Sequence, residues 1–118
     1  MNLSAMVSAS AFDDDYQMAL VYCIDKAKNY CFSLSRVPDE SRIEVMVLDQ
    51  VSYKVADLSV RLKGEILEIA LNRDVAAQLD GHTLYTIELL NLNGAQQQSL
   101  HAALRKIFEG KLGLQIIP

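Results

Sequence analysis

Apolar and polar residues alternate along the first three quarters of the chain, and this alternation most restricts how it can fold. Leu3, Ala5 and Val7, for example, alternate with Ser4 and Ser8. Successive side chains of a β-strand point to opposite faces, so a period of two predicts strands with one buried face. An amphipathic helix would instead repeat its apolar residues three and four positions apart. We therefore predict that most of the chain forms a sheet.

The predicted strands have turn-forming residues between them. Asp13, Asp14 and Asp15 interrupt the first alternating run, and Lys63-Gly64-Glu65 is typical of a hairpin turn. Short connections favour an antiparallel meander for the first three strands. Segment 51–55 alternates too, although the residues after it are also typical of a bend. The clear alternating runs are 3–11, 16–24, 30–35, 43–47, 58–62, 67–71 and 85–89.

The repeat changes near the C-terminus. Leu100, Ala103, Leu104, Ile107 and Phe108 are spaced as the apolar stripe of a helix, which Asn93 or Gly94 can open and Gly110 can close. A short helix at 75–79, capped by Asp74, is also predicted, and segment 112–117 is an edge strand or a docked extension. We predict an α+β fold: a mainly antiparallel sheet of about six strands with a C-terminal amphipathic helix packed on one face.

Length and charge restrict the class of protein. The 118 residues suit one domain, residues 1–118, of ordinary globular composition, with 51% hydrophobic and 22% charged residues. The formal net charge of −4 argues against a nucleic-acid binder, which needs a basic face. No apolar run approaches the ~20 residues of a membrane span, and no signal peptide is recognisable. These features predict a cytoplasmic protein with no nucleic-acid or membrane partner.

The sequence shows no catalytic, cofactor or metal-binding pattern. Cys23 and Cys31 lie within strand patterns, as buried structural thiols do, and His82 and His101 are expected on the surface. A glycine-rich phosphate loop is missing, and Asp13–Asp15 lacks the ligand spacing and glycine of a calcium loop. We predict a non-enzymatic protein without cofactor or metal. An enzyme that uses Cys31 or His82 is the less favoured reading.

Acidic residues are concentrated in the predicted connections between strands. Connections at alternate strand ends of a meander share one edge of the sheet, so some of these acids can form one patch. Such a patch would accelerate association with a basic partner, whereas isolated loop acids only improve solubility. The acids in question are Asp13, Asp14, Asp15, Asp39, Glu40 and Asp49.

Three local motifs carry a resemblance over residues 9–110. They are the strand that ends at Arg36, the Asp49-Gln50 pair and the Leu104-x-x-Ile107-Phe108 helix. In their order along the chain these motifs resemble immunity protein family 10 of bacterial polymorphic toxin systems. The chain departs from the family pattern at Ser35, where glutamine is common, and in having fewer acids along the middle strands.

The resemblance implies a non-enzymatic antitoxin that binds a cognate toxin domain in the cytoplasm and neutralises it by occlusion. Tyr16, Tyr22, Tyr53 and Arg36 are candidate anchors by residue type, with core packing the favoured role for Tyr22. The alternative is a small-molecule or lipid-binding domain with a cavity between sheet and helix. Either protein can form a homodimer through segment 112–117, because an apolar edge strand promotes association.

Overall fold

The computed structural model describes residues 1–118 as one nine-stranded mixed sheet with two helices. In space the strands follow the order β5-β4-β3-β2-β1-β8-β7-β6-β9. Seven of them lie in the segments where the alternation predicts strands. The strands are β1 (Asn2–Asp13), β2 (Met18–Asp25), β3 (Tyr30–Arg36), β4 (Ile43–Val47), β5 (Val51–Val55), β6 (Ser59–Lys63), β7 (Ile66–Ala70), β8 (Leu84–Leu89) and β9 (Leu114–Ile117).

Strand β1 joins two halves of the sheet. Its first residues, from Asn2 to Ala5, pair in parallel with β8, whereas Met6 to Asp13 pair antiparallel with β2. An irregularity between Ser10 and Asp13 bends the end of this second pairing. We call β2–β5 with the second part of β1 the first half, and β6–β9 with the first part of β1 the second half.

The sheet curls so that the inner faces of the two halves pack together. The ring centroids of Phe32 on β3 and Tyr85 on β8 are 4.7 Å apart, although β2 and β1 lie between these strands in the sheet. The hydroxyls of Tyr30 and Tyr85 are 2.8 Å apart and are buried. A single core of alternating apolar side chains therefore fills the space between the halves.

Two helices complete the core. Helix α2 (Gly94–Ile107) packs on β1, β2 and β3, and the side chain of Asn93 accepts a hydrogen bond from the Gln96 N–H at its start. Helix α1 (Arg73–Gln78) contacts β5 and is capped by Asn72 rather than by the predicted Asp74. Asn72 takes this role because its side chain reaches the N–H of Val75. Neither helix is long and apolar enough to cross a membrane.

The predicted fold class is wrong in strand number and in describing a sheet with one helix, although the short helix predicted at 75–79 is present as α1. The ambiguous segment 51–55 and the C-terminal tail both pair as strands, on β4 and β6 respectively. The β1–β8 and β6–β9 pairs are parallel, an arrangement that needs a long connection between the paired strands, and each pair has one. The protein is therefore mostly β, with nine strands in one mixed sheet and two helices, and not a sheet of about six strands with one C-terminal helix.

Candidate functional site

The outward face of the first half has large side chains on β2 and β4 and small ones on β3 between them. One row across the strands consists of Ser8, Tyr22, Ser33, Met46 and Ser52. The next row consists of Ser10, Leu20, Ser35, Glu44 and Lys54. Because strands β2 and β4 form ridges on either side of β3, a groove runs along β3.

The groove has a volume of about 490 Å³, within the size range of ligand sites. The side chains of Ser33 and Ser35 form its floor; these residues are only 7% and 6% exposed, even though they belong to the outward face. Neither hydroxyl takes part in a side-chain hydrogen bond within the chain. The full lining is Ser8, Asp13, Tyr16, Met18, Leu20, Tyr22, Ser33, Ser35, Glu44, Met46 and Asp49.

All charged residues that line the groove are acidic. They are Asp13 at one end, Glu44 on the β4 side and Asp49 at the other end, and none of them forms a salt bridge. Lys54 lies opposite Glu44 across the strands, but its Nζ is 3.7 Å from Oε2 of Glu40. The groove therefore combines apolar surface with uncompensated negative charge.

One end of the groove is built around Asp49. Leu48 and Asp49 both adopt positive φ in the turn between β4 and β5, which brings the carboxylate back over the sheet. The Tyr22 hydroxyl lies 3.2 Å from Oδ2 of Asp49 and 3.0 Å from Sγ of Cys31. The bond to Cys31, burial and the nearby Asp49 raise the pKa of Tyr22, so its hydroxyl stays protonated. Burial also raises the pKa of the Cys31 thiol.

The other end of the groove is the turn between β1 and β2. Oδ1 of Asp13 accepts hydrogen bonds from the N–H groups of Asp15 and Tyr16, each at 3.0 Å. This arrangement holds Tyr16 at the groove, where the residue is 65% exposed. Asp14 and Asp15 are exposed in the same turn and do not line the groove. The structure therefore brings Asp13, Tyr16 and Asp49 to one surface.

The remaining candidate residues lie elsewhere. Arg36 donates from Nε to the Glu40 carbonyl, at 2.7 Å, and from Nη1 to the carbonyls of Ile107 and Glu109, so it ties β3 to the end of α2. Arg36, Asp39 and Glu40 line a separate cavity of about 260 Å³. The Arg42 side chain and N–H lower the pKa of Glu40 to about 2, with help from Lys54. Tyr53 is 42% exposed on β5 and lines neither the groove nor this cavity.

Several residues of the groove are not predicted from the sequence. Tyr22 is a candidate anchor there, but core packing is its favoured role, and Met46, Glu44 and the floor serines are not singled out. A signal was present in β2, whose outward residues Met18, Leu20, Tyr22 and Ile24 are as apolar as its inward ones. A strand that is apolar on both faces needs a second surface to cover it, because a solvated sheet face is normally polar.

The structure gathers no catalytic constellation at the groove. The thiol nearest the groove is that of Cys31, and its neighbours are a phenol and a carboxylate rather than a base or a cation. His82 and His101 do not line the groove. No three His, Cys, Asp or Glu side chains are grouped to hold a metal ion.

Comparison with known proteins gives no relative: no family model, curated protein or solved structure matches the chain.

Proposed function

We propose that this protein is a non-enzymatic immunity protein that binds a cognate bacterial toxin domain and neutralises it by occluding a surface the toxin needs. The observation that carries the proposal is the groove along β3, which is lined by apolar side chains, serines and three carboxylates that form no salt bridge. The resemblance of the sequence to immunity protein family 10 supports the same function. In this proposal the groove is the toxin-binding surface.

The surface chemistry of the groove supports protein binding. Tyr22, Met18 and Met46 give it the aromatic and methionine side chains that are enriched in the buried centres of interfaces. Asp13 and Asp49 at its ends provide the polar rim that orients a partner. A contiguous apolar surface rimmed by polar groups marks an interaction site on a folded protein.

The alternative function, binding of a small molecule or lipid between sheet and helix, has less support. The inward side chains of α2, namely Leu100, Ala103, Leu104 and Ile107, are fully buried against the sheet. The cavity near the end of α2 is smaller than the groove and includes Arg36, Glu40 and Lys106 in its lining. Close packing and charged lining both disfavour an apolar ligand there.

The test is calorimetric titration with the C-terminal domain of the large secreted protein encoded beside this gene. We expect a one-to-one complex of nanomolar or tighter affinity, and co-expression should abolish the toxicity of that domain. A Thr86→Arg variant, altered on the outward face of the second half, is the control and should protect equally well. Absence of heat together with absence of protection would contradict the proposal for this pair.

A further inference from the structure

We infer that the groove binds an extended cationic segment of its partner, in which two arginine side chains four residues apart reach the carboxylates at its two ends. The inference rests on the proposed function, because it specifies what the toxin domain presents to the groove. It commits to a protein segment as the occupant.

The width of the groove accommodates a single row of side chains from the partner segment. Neighbouring strands of a sheet lie about 4.8 Å apart, so the ridges on β2 and β4 are separated by about 10 Å. Between them Ser33 and Ser35 leave space for long side chains to insert from above. As residues, Ser33 and Ser35 are more than nine-tenths buried, yet they line the groove and their hydroxyls bond to no side chain of the protein, so they can bond to polar atoms of an inserted group.

The positions of the acids give the spacing of the cations. Met18 pairs with Asp13 at one end, and Tyr22 bonds to Asp49 at the other. These two β2 residues are four positions apart, which corresponds to about 13 Å along a strand. In an extended partner segment, residues i and i+4 have the same spacing and point to the same side. The residue between them, i+2, would face Leu20, where the groove is apolar.

Arginine fits both ends better than lysine. A guanidinium can pair with Asp13 or Asp49 through two hydrogen bonds and also stack on the ring of Tyr16 or Tyr22. The methylenes of its stem can pack on the thioether side chains that line the groove. A lysine ammonium lacks the planar geometry for this combined contact.

The experiment is an NMR titration of the ¹⁵N-labelled full chain with two capped peptides of identical composition. One is Ser-Arg-Ser-Val-Ser-Arg-Ser, with arginines four apart, and the other is Ser-Ser-Arg-Arg-Val-Ser-Ser, with adjacent arginines. We expect the spaced peptide to bind about fivefold more tightly and to shift amides of β2, β3 and β4. Asp49→Asn should remove this advantage, and so should Asp13→Asn, which keeps the oxygen that accepts the turn hydrogen bonds.

The results separate this inference from the proposed function. If the toxin domain binds and is neutralised while both peptides bind equally or not at all, the immunity function stands and the inference is overturned. If the spaced peptide binds preferentially at the groove but the toxin domain does not bind, the inference holds and the assigned partner is wrong. Equal peptide preference in Asp49→Asn and wild type would also overturn the inference.

Discussion

The two halves of the sheet share one core but have different outward faces. In the second half, Arg61 on β6 lies directly opposite Glu68 on β7. Lys63 on β6 and Glu88 on β8 lie in one row across the sheet, on either side of Ile66 on β7. Charges of both signs therefore alternate there, as expected of a solvated face. The first half carries methionine, leucine, tyrosine and serine around the groove, and every charged residue that lines the groove is acidic.

This difference does not arise from the requirements of the fold. Inward side chains are buried to the same extent in both halves: Leu34 and Val45 are 0% exposed in the first, and Leu67 and Ile69 are 0% exposed in the second. Outward residues contribute little to that core, so core packing does not determine which residues occupy the outward faces. In the proposed function, the apolar, acidic face of the first half contacts a partner and the mixed-charge face of the second half contacts water.

The largest expected effect comes from filling the groove. Ser35→Arg places a long cation on its floor, next to Glu44, and Thr86→Arg places the same side chain on the other face, next to Glu68. We expect Ser35→Arg to weaken toxin binding at least about 100-fold through steric overlap and charge repulsion, and Thr86→Arg to leave it unchanged. Calorimetry measures both affinities, and circular dichroism confirms that both variants fold.

The Ser35→Arg and Thr86→Arg variants together test whether the two outward faces differ in function. Equal weakening by both arginines would mean that the faces do not differ in function. Loss of binding by Thr86→Arg alone would assign the partner to the second half.

A smaller effect is expected from removing the groove charges. A triple variant with Asp13→Asn, Glu44→Gln and Asp49→Asn changes the formal net charge from −4 to −1. Its association with a basic toxin domain should slow about tenfold at low ionic strength, as measured by stopped flow, and the difference should vanish at about 1 M salt because surface charges are then screened.

The control for this variant carries the same charge change on the other half. It combines Glu65→Gln, Glu68→Gln and Glu88→Gln, and we expect its association rate to stay near that of the wild type. Equal slowing in the two triple variants would show that overall charge, rather than the groove, attracts the partner.

Much of the fold follows from local sequence, and the errors come from long-range pairing. The period of two locates seven strands, and the apolar stripe from Leu100 to Phe108 locates α2. Nothing local shows that β1 changes partner after Ala5, or that the tail from Leu114 pairs with β6. Those pairings depend on which exposed strand edges meet in the folded chain, and this produces the parallel pairs and the nine-stranded sheet.

The site was harder to predict than the fold. Loop acidity pointed to Asp13 and Asp49, but the same reasoning selected Glu40, which is paired within the chain. Residue type alone makes Arg36 a candidate anchor, although its guanidinium hydrogen-bonds to main-chain carbonyls at the end of α2. A residue type does not show whether a charged group is already satisfied by the fold. The family resemblance and the partner stay predictions.

The smallest expected effect distinguishes an acid that supports the fold from the acids of the groove. Hydrogen bonds from Arg42, with Lys54 nearby, lower the pKa of Glu40 from 4.5 to about 2. A carboxyl with a lowered folded-state pKa stabilises the protein above its unfolded pKa, and this contribution is lost as the pH falls through the folded pKa. Glu40→Gln should therefore lower the free energy of unfolding at pH 7, and its difference from wild type should shrink between about pH 4.5 and pH 2. Urea titrations across this range measure the difference in unfolding free energy, with Asp39→Asn as the control. A difference that stays constant with pH would refute this role of Glu40. Toxin association should be unaffected by Glu40→Gln, because Glu40 lies outside the groove.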